Sequence, residues 1–569
     1  IQGRLREMLD AREAFKEGPS APDVMVMATC REELASKATR GEFDAGLAEH
    51  LGKRRIVVPP LRYRKRDIPE MVDHFVAKHA KRLQKPVKRM HQDALQQLLA
   101  YDFLMGNVQE LEECVERAII LAEGEEIGLE HVFLRARGQQ GGLSYNLLRG
   151  APLRALLKTR LWPCTGQVLT TLIFAGIFAF LLAKPMGKEG WGLTLVWSVW
   201  WPLLFLSFLL IGRIWCAVCP IGALTELVQR FLHIKMPVPA LLKKYDYALI
   251  MAGFLLILWV EEVSQMRHSA LATALLLLTI LAGAVVVNTL YERATWCRHV
   301  CPLGGLAGVC SMTSVVELRP SIEVCSNQCT THSCYKGAKN AAGCPLFQHV
   351  MFVNTNQQCK LCMSCLRSCP NDAVQLNIRV PAQEIWISPE ATRTGFHLFG
   401  AAMLGIFFPV YIHETRGVEA FGRSEALFTL AFIAAAAAPI GLFWLTGLLF
   451  AKGEDFLVRN LWRQAAYSYL PLAVGTYAAY HVSLIGVLQT YHLRLFPVTG
   501  GSFIFQWPAF YPLVMFFVAS GLILSFYSLY RTLRNVRNLS AGRRRLFHTI
   551  HTVAQLAYGA SALALILGR

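Results

Sequence analysis

Long runs of apolar residues separated by short polar segments occupy the chain from about residue 160 to residue 569. Nine of these runs have about the length that a helix needs to cross the hydrocarbon core of a membrane, roughly 17–25 residues. They are 167–183, 192–212, 246–260, 269–290, 395–414, 425–450, 467–488, 510–530 and 549–567. The pattern predicts a mainly α, polytopic membrane protein with about nine transmembrane helices.

The first 138 residues are patterned differently, as in a soluble domain. Short apolar runs at 24–28 and 55–61 predict two buried strands, the second ended by two prolines. Apolar positions three and four residues apart predict helices over 68–82, 92–100 and 107–122. We therefore expect an α/β part followed by helices.

Composition and charge indicate a membrane location and an orientation. Of the 569 residues, 54% are hydrophobic and 17% are charged, against about 25% charged residues in soluble domains. The net charge is +18, and lysines and arginines gather before the first apolar run and after the second and eighth. Because cytoplasmic loops are rich in these residues, we expect a bacterial inner-membrane protein with residues 1–160 and 291–390 in the cytoplasm. If one apolar run enters and leaves the membrane on the same side, the C-terminal half would have the opposite orientation.

Most of the sixteen cysteines lie between Cys297 and Cys369, at short spacings typical of metal ligands rather than of disulfides. The clearest motif is C-x2-C-x2-C-x3-C-P, which runs from Cys359 to Pro370. In this iron–sulfur motif the first three thiolates hold one [4Fe–4S] cluster and the fourth holds the neighbouring cluster. Four thiolates also suit zinc, but zinc sites favour two separated C-x2-C pairs.

A second, irregularly spaced group of cysteines lies just upstream and also ends in Cys-Pro. In two-cluster ferredoxins the fourth cysteine of each motif binds the cluster of the other motif. Two such groups of cysteines therefore predict two [4Fe–4S] clusters. One would be held by Cys325, Cys329, Cys334 and Cys369, and the other by Cys344, Cys359, Cys362 and Cys365. The alternative is that the irregular group holds another metal or none. Eight cysteines match the eight ligands of two clusters and leave no coordination site open for a substrate. This favours electron relay over catalysis, so we predict no catalytic residue.

Two further Cys-Pro motifs follow the second and fourth apolar runs, and they look like an internal repeat. The first contains Cys216 and Cys219, and the second contains Cys297 and Cys301. On the predicted topology both lie at the cytoplasmic face, where they would hold a third metal centre or form redox-active thiols. The simpler alternative is that they are small buried residues at helix ends.

Residues from about 160 to 380 resemble the membrane-bound polyferredoxins, the family of the nitrous-oxide-reductase regulator and of the membrane subunit of periplasmic nitrate reductase. The two Cys-Pro-x-Gly motifs and the downstream double-cluster region carry the resemblance. In that family three residues separate the first cysteine pair, whereas two separate Cys216 from Cys219. The resemblance implies electron transfer between the quinone pool and a partner protein.

The N-terminal part resembles the end of the AAA+ domain of enhancer-binding proteins, the activators of the alternative sigma factor sigma-fifty-four. Matching stretches include Gly41-x-Phe43, Pro59-Pro60-Leu61 and Gly106-Asn107-Val108. The resemblance implies that this part is the end of the AAA+ core together with its helical lid. Because the chain starts inside what reads as a domain, we expect a fragment of a longer protein.

Three positions depart from that AAA+ family. Two of its arginines that reach a neighbouring subunit's γ-phosphate are replaced by Asp44 and His50, and its sensor arginine is replaced by Gln109. Arginine fingers contribute about 10³–10⁵ in rate in related NTPases, and the sequence contains no phosphate-binding loop motif. We therefore expect no ATPase activity from this chain and interpret the domain as a degenerate scaffold, sensor or docking module.

Histidines lie in or near three of the last five apolar runs, 395–414, 467–488 and 549–567. His413 with His481, and His397 with His551, are candidate axial ligands of a b-type haem, since ionisable residues in membrane helices are often functional. His397 and His413 are roughly 160° apart around a helix, so one helix does not present both on one face. Histidines at interfaces without a cofactor are the alternative.

These patterns predict a mainly α membrane protein with an inserted α+β ferredoxin-like domain and an N-terminal α/β AAA+ remnant with a helical lid. The expected segments are the AAA+ core end (1–66), the lid (67–138), a linker (139–160), a four-helix membrane domain (161–300), the double-cluster domain (301–390) and a membrane domain of about five helices (391–569).

The favoured function is electron relay through two [4Fe–4S] clusters, between a cytoplasmic redox partner protein and a quinone or b-haem in the lipid bilayer. The alternative is a membrane-anchored redox sensor of the enhancer-binding type. Only in that case would the alternative sigma factor and RNA polymerase be partners. No direct binding of nucleic acid is predicted from this chain.

Overall fold

The computed structural model describes residues 2–14, 27–30, 34–39, 41–53, 55–87, 89–101, 103, 106–122, 124–128, 131–132, 134, 144–183, 191–339, 341–353, 355–387, 395–450, 461–485, 510–535 and 540–567. Contacts divide the chain into two units, Ile1–Val132 and Phe133–Arg569.

The N-terminal unit is a small helical domain. Its helices are α1 (Gln2–Ala14), α2 (Leu34–Thr39), α3 (Ala45–Gly52), α4 (Ile68–Arg82), α5 (Gln92–Ala100) and α6 (Asn107–Leu121). Strands β1 (Arg89–Met90) and β2 (Glu126–Ile127) pair in parallel. The apolar faces of α4 and α6 pack together and bury Val72, Val76 and Leu111. The three helices predicted in this part are confirmed to within a residue.

The strand predicted over 55–61 is wrong. Residues 55–60 have no regular structure and lead into a 3₁₀ turn, Leu61–Tyr63. Pro59 and Pro60 cannot donate backbone hydrogen bonds to a sheet, and Ile56 is 89% exposed. The other predicted strand, 24–28, lies mostly outside the described residues, and residues 27 and 28 have no regular structure.

The second unit is built mainly from helices. They are α7 (Ala151–Lys158), α8 (Leu161–Ala183), α9 (Trp191–Leu210), α10 (Ile214–Val218), α11 (Pro220–Phe231), α12 (Ala240–Val263), α13 (Ala270–Leu290), α14 (Pro302–Ser311), α15 (Ile322–Asn327), α16 (Ser333–Lys336), α17 (Ser364–Ser368), α18 (Gln383–Ile387), α19 (Phe396–Arg416), α20 (Glu425–Phe450), α21 (Leu461–Ser468), α22 (Leu470–Ile485), α23 (Phe510–Asn535) and α24 (Ala541–Leu567). Within the described residues, seven are long and apolar enough to cross a membrane: α8, α9, α13, α19, α20, α23 and α24.

Two of the nine predicted spans do not meet this test. The run at 246–260 lies in α12, which has 24 residues but carries the buried ionisable side chains Asp246, Glu261 and Glu262. The run at 467–488 coincides with α22, which is described over 16 residues, fewer than the roughly 20 that a span requires. The number of spans therefore stays a prediction.

The cysteine-rich insert is built on a small sheet. Its strands are β3 (Ser144–Asn146), β4 (Val316–Pro320) and β5 (Val374–Arg379), in the antiparallel order β3–β5–β4. Tyr145 pairs with Ile378, and Leu318 pairs with Leu376. Strand β3 comes from the segment that the sequence assigned to a linker. The sheet therefore ties the chain just before α8 to the insert.

Candidate metal centres

The first set of thiols consists of Cys325, Cys329, Cys334 and Cys369. The first three come from α15, α16 and the turn between them, and Cys369 directly follows α17. Burial, with a contribution from Cys329 and Cys369, raises the pKa of Cys325 to about 12. Burial also raises the pKa of Cys334 to about 12, with contributions from the other three thiols. The structure thus places the four predicted ligands close enough for their charges to interact.

The second set consists of Cys344, Cys359, Cys362 and Cys365, which line one small cavity. Burial, with contributions from Cys344 and Cys362, raises the pKa of Cys359 to about 12. Burial also raises the pKa of Cys365 well above its usual value, and Cys334 of the first set contributes to this shift. The two sets are therefore neighbours within the insert.

Backbone conformation wraps the chain around the second set. Leu361 and Met363, the residues on either side of Cys362, both have positive φ angles, 55° and 58°. Side chains in this region cost about 1–2 kcal/mol each, and such residues cluster at functional sites. Helix α17 begins directly after Met363 and carries Cys365. The unfavourable backbone is consistent with a loop shaped to direct several thiols towards one point.

The third set consists of Cys216, Cys219, Cys297 and Cys301, the cysteines of the two repeated motifs. All four line one cavity of about 160 Å³. Cys216 lies in α10, Cys297 lies in the π-helical turn Trp296–Val300, and Cys301 caps α14 by accepting a hydrogen bond from Gly304 N–H at 3.2 Å. The two Cys-Pro motifs follow the ends of α9 and α13, and they therefore meet at one cavity.

Electrostatics argue against reactive thiols at the third set. Burial raises the pKa of Cys219 to about 12, with contributions from Cys216 and Cys297, and burial also raises the pKa of Cys301. Reactive thiols need a lowered pKa, whereas a coordinated metal deprotonates a thiol outright. The twelve cysteines of the three sets are free thiols in the structure.

Each of the three sets has the number and type of ligands that a [4Fe–4S] cluster requires. Within the described residues, no three His, Cys, Asp or Glu side chains converge closely enough to hold one metal ion. Mononuclear zinc requires four ligands within about 2.3 Å of one point, whereas a [4Fe–4S] cluster is held by thiolates distributed around a larger body. The four thiols of each set, most of them partly exposed, match the ligands of a cluster in number and kind.

Three charged residues at these sites were not singled out from the sequence. Arg213 is buried, donates from Nη1 to the Gln357 carbonyl oxygen at 2.5 Å, and lines the cavity of the third set. Lys360 and Glu226 line the same cavity and form an ion pair at 3.4 Å. Lys360 stands inside the C-x2-C motif, but sequence spacing does not reveal that its side chain is buried.

The structure places His413 and His481 in different surroundings. His413 Nδ1 lies 2.9 Å from Glu262 Oε2, and its Nε2 lies 3.6 Å from Glu425 Oε2. Nδ1 is occupied by Glu262, so only Nε2 could bind iron. The Glu425 carboxylate beside Nε2 argues against His413 as an axial haem ligand. His481 is enclosed by aromatic rings, with Phe205 at a centroid distance of 4.7 Å.

His397 and His551 remain the better haem candidates. His397 packs edge-on against Trp462, and His551 Nδ1 lies 3.0 Å from the Tyr469 hydroxyl. Both histidines are buried, and the Nε2 atom of each has no hydrogen-bond partner within the described part of the chain. No contact joins the two rings there, so their pairing stays a prediction.

In the N-terminal unit, the structure describes the three residues that depart from the AAA+ family. Asp44 caps α3 by accepting a hydrogen bond from Leu47 N–H at 2.8 Å, and this bond lowers the pKa of the Asp44 carboxyl. Gln109 donates from Nε2 to Glu113 at 3.2 Å. His50 lies in the last turn of α3.

Two family models match parts of the chain. The model of the AAA+ ATPase lid domain matches residues 62–144, and the model of the 4Fe-4S binding domain matches residues 193–239 and 273–312. The latter stretches contain the third set of thiols and end before Cys325. The chain therefore joins an AAA+ lid domain to a 4Fe–4S binding domain, as the two resemblances predicted.

The curated relatives are bacterial transcription regulators. Transcriptional regulatory protein ZraR of Salmonella typhi is 36% identical over 130 residues, which cover 22% of this chain and 29% of that protein. Nitrogen fixation protein AnfA of Azotobacter vinelandii is 36% identical over 130 residues, 22% of this chain and 24% of that protein. DNA-binding transcriptional activator HyfR of Escherichia coli K12 is 32% identical over 170 residues, which cover 29% of this chain and 24% of that protein. The chain spans less than a third of each relative.

Proposed function

We propose that this protein is a membrane-bound iron–sulfur electron-transfer protein, which relays electrons between a cytoplasmic partner protein and the membrane. The observation that carries the proposal is the gathering of twelve thiols into three sets of four, each drawn from two separate stretches of chain. Bound [4Fe–4S] clusters would supply reversible one-electron carriers. The first and second sets would hold two clusters, and the third set a third metal centre.

The protein's own groups would hold the clusters and tune them. Burial keeps water from the thiols, and hydrogen bonds and burial set the reduction potential of such centres. Cys301 Sγ accepts from Gly304 N–H at 3.2 Å, and Cys369 Sγ accepts from Ala373 N–H at 3.4 Å. Both bonds favour the negatively charged form of the sulfur.

The proposed location is the bacterial inner membrane, with the N-terminal unit and the insert in the cytoplasm. Seven long apolar helices support a membrane protein, and the distribution of lysine and arginine supports this orientation. The cytoplasm is reducing, which suits an insert whose cysteines are all free.

The membrane acceptor would be a quinone that enters the cavity of the third set. This cavity continues from the thiols between apolar side chains of α12 and α13. Thr273 and Asn288 both line it, and their fifteen-residue separation on one helix corresponds to about 22 Å. A long apolar slot beside a redox centre suits a flat head group with a lipid tail. A b-haem at His397 and His551 is the alternative acceptor.

A redox sensor is the second candidate function. The similarity to bacterial transcription regulators over 130 residues favours it. In that case, oxidation or reduction of the clusters would alter the AAA+ lid domain and, through it, transcription by the alternative sigma factor. A reporter gene under a sigma-fifty-four-dependent promoter distinguishes the two functions, because only a sensor changes its expression when Cys362 is replaced.

Metal analysis of the anaerobically purified full chain tests the proposed function. We expect about eight irons with matching acid-labile sulfide for two clusters, or about twelve for three. A Cys362→Ser variant should lose one cluster signal in the EPR spectrum of the reduced protein, because it removes one ligand of the second set. Pyridine haemochrome analysis of the same sample decides whether haem is present.

The matched control is Cys164→Ser. Cys164 is exposed and belongs to none of the three sets, so its replacement should leave the iron content and the spectrum unchanged. Zinc in place of iron and sulfide, or an unaltered spectrum in Cys362→Ser, would contradict the proposal.

A further inference from the structure

Lys360 contacts two candidate metal centres at once. It lies between Cys359 and Leu361 in the motif of the second set, and its side chain lines the cavities of both the second and the third set. The residue is only 8% exposed. Its positive charge interacts with Cys362 of the second set and with Cys297 of the third. One buried cation therefore lies between two groups of four thiols.

The ion-pair partner of Lys360 is itself partly exposed. Glu226 Oε1 lies 3.4 Å from Lys360 Nζ, but the Glu226 side chain is 45% exposed. Solvent screens an exposed carboxylate, whereas the desolvation penalty of a buried ammonium is several kcal/mol. Further negative charge close to Lys360 would stabilise it in this position.

A metal cluster at either set would supply that charge. Four thiolates outweigh the positive charge of a [4Fe–4S] core, and reduction adds one more negative charge. A fixed cation close by stabilises the reduced form more than the oxidised form, because the Coulomb attraction grows with the charge of the cluster. The reduction potential of a cluster beside Lys360 is therefore raised.

We propose that Lys360 is a shared counter-charge that raises the reduction potentials of the centres held by the second and third sets. This inference rests on the proposed function, because it requires a cluster at each of these sets. The first set approaches the second through Cys334 and Cys365, and the thiols that act on the charge of Lys360 are Cys362 and Cys297. The potential of the first set should respond much less to the lysine.

Lys360→Met tests this role, since methionine removes the charge and keeps a long unbranched side chain. The measurement is an EPR-monitored redox titration of the purified full chain, with signals assigned through Cys362→Ser for the second set and Cys297→Ser for the third. We expect lower midpoint potentials for these two centres and an almost unchanged potential for the first. The control Lys339→Met removes an exposed lysine of the same insert and should shift no potential.

Glu226→Gln provides a test of opposite sign. It removes the negative charge beside the lysine, so both potentials should rise, by less than Lys360→Met lowers them because Glu226 is partly exposed. Opposite shifts at the same two centres distinguish an effect of charge from a disturbance of packing. If Lys360→Met loses iron, Lys360→Arg must restore the iron content and bring both potentials back towards their wild-type values.

Failure of the inference can be distinguished from failure of the proposed function. Absence of iron–sulfur signals in the wild-type protein would reject the proposed function itself. Wild-type clusters whose potentials are unchanged in Lys360→Met, or shift equally at all three sets, would reject only the role of Lys360. A wild-type protein with clusters at the first and second sets but no centre at the third would also reject the shared role.

Discussion

At the scale of single residues, the insert depends on a buried arginine. Arg379 is 3% exposed, and its Nη1 donates to Glu384 at 2.7 Å and to Glu317 at 3.1 Å. Its Nε donates to the Ser314 carbonyl oxygen at 3.1 Å, and its Nη2 to that of Met312 at 3.0 Å. These bonds connect β5 to the end of α14 and thereby hold the loops that carry the first and second sets.

Replacing Arg379 by methionine should destabilise the protein by about 3 kcal/mol, the lower end of the range for a broken buried ion pair. The buried carboxylates of Glu317 and Glu384 would lose one of two arginine partners and keep Arg319, at 3.0 Å from each. Thermal unfolding in detergent and iron content should both show the loss. Arg423→Met is the control, since the ion pair of Arg423 with Glu419 has side chains 81% and 73% exposed and such pairs contribute about 0–1 kcal/mol. Equal stability of the two variants would show that the Arg379 network is not needed.

At the scale of elements, α19 and α20 approach each other at a glycine. A Cβ atom added at Gly405 would lie 1.6 Å from the Ala435 carbonyl oxygen and 3.1 Å from Pro439 Cδ. Small residues allow membrane helices to pack closely, since the backbones can then make extensive van der Waals contact. The close packing of this helix pair therefore depends on the missing side chain of Gly405.

Gly405→Ala should lower the stability by about 1–3 kcal/mol, the usual effect of inserting an atom into a packed interface. The readout is the midpoint of thermal unfolding in detergent. Gly441→Ala in the facing helix is the control, because an added Cβ there meets no atom within 4 Å and alanine is the better helix former. A Gly405→Ala variant as stable as Gly441→Ala would show that the helices separate easily.

At the scale of the whole molecule, pairing and contacts in the second unit imply the relative sides of its loops. β3, just before α8, pairs with the insert, and Trp162 Nε1 donates to the Leu361 carbonyl oxygen at 3.1 Å. A backbone bridge joins Met236 to Tyr291. The chain before α8, the loop before α12 and the end of α13 therefore lie on one side, with the insert. The turn between α12 and α13 lies at the opposite ends of these helices.

Reporter fusions test this topology in cells. Green fluorescent protein fused after residue 238 should fluoresce, because that loop lies on the proposed cytoplasmic side with the insert. Alkaline phosphatase fused after residue 265, between α12 and α13, should be active, because that turn lies on the opposite side. Phosphatase activity at 238 together with fluorescence at 265 would invert the topology and place the insert outside the cytoplasm.

Local features of the chain were predictable from the sequence. The three helices of the N-terminal unit follow from apolar spacing, and the seven long helices follow from continuous apolar runs, because each of these patterns acts within one segment. The failed strand at 55–61 shows the limit of this reasoning. Its apolar residues suggested burial, but two prolines remove hydrogen-bond donors and Ile56 is exposed.

The sequence by itself determined the helices, the membrane character and the ligand types, because apolar periodicity and cysteine spacing are properties of neighbouring residues. It also suggested which cysteines share each of two clusters, and that assignment stays a prediction. Only the tertiary structure decided that the two Cys-Pro repeats meet in one cavity and that Lys360 lies between two sets. Those relations depend on how α9, α12, α13 and the insert pack, and packing joins residues that are distant in the sequence, such as Cys216 and Cys297, which are 81 positions apart.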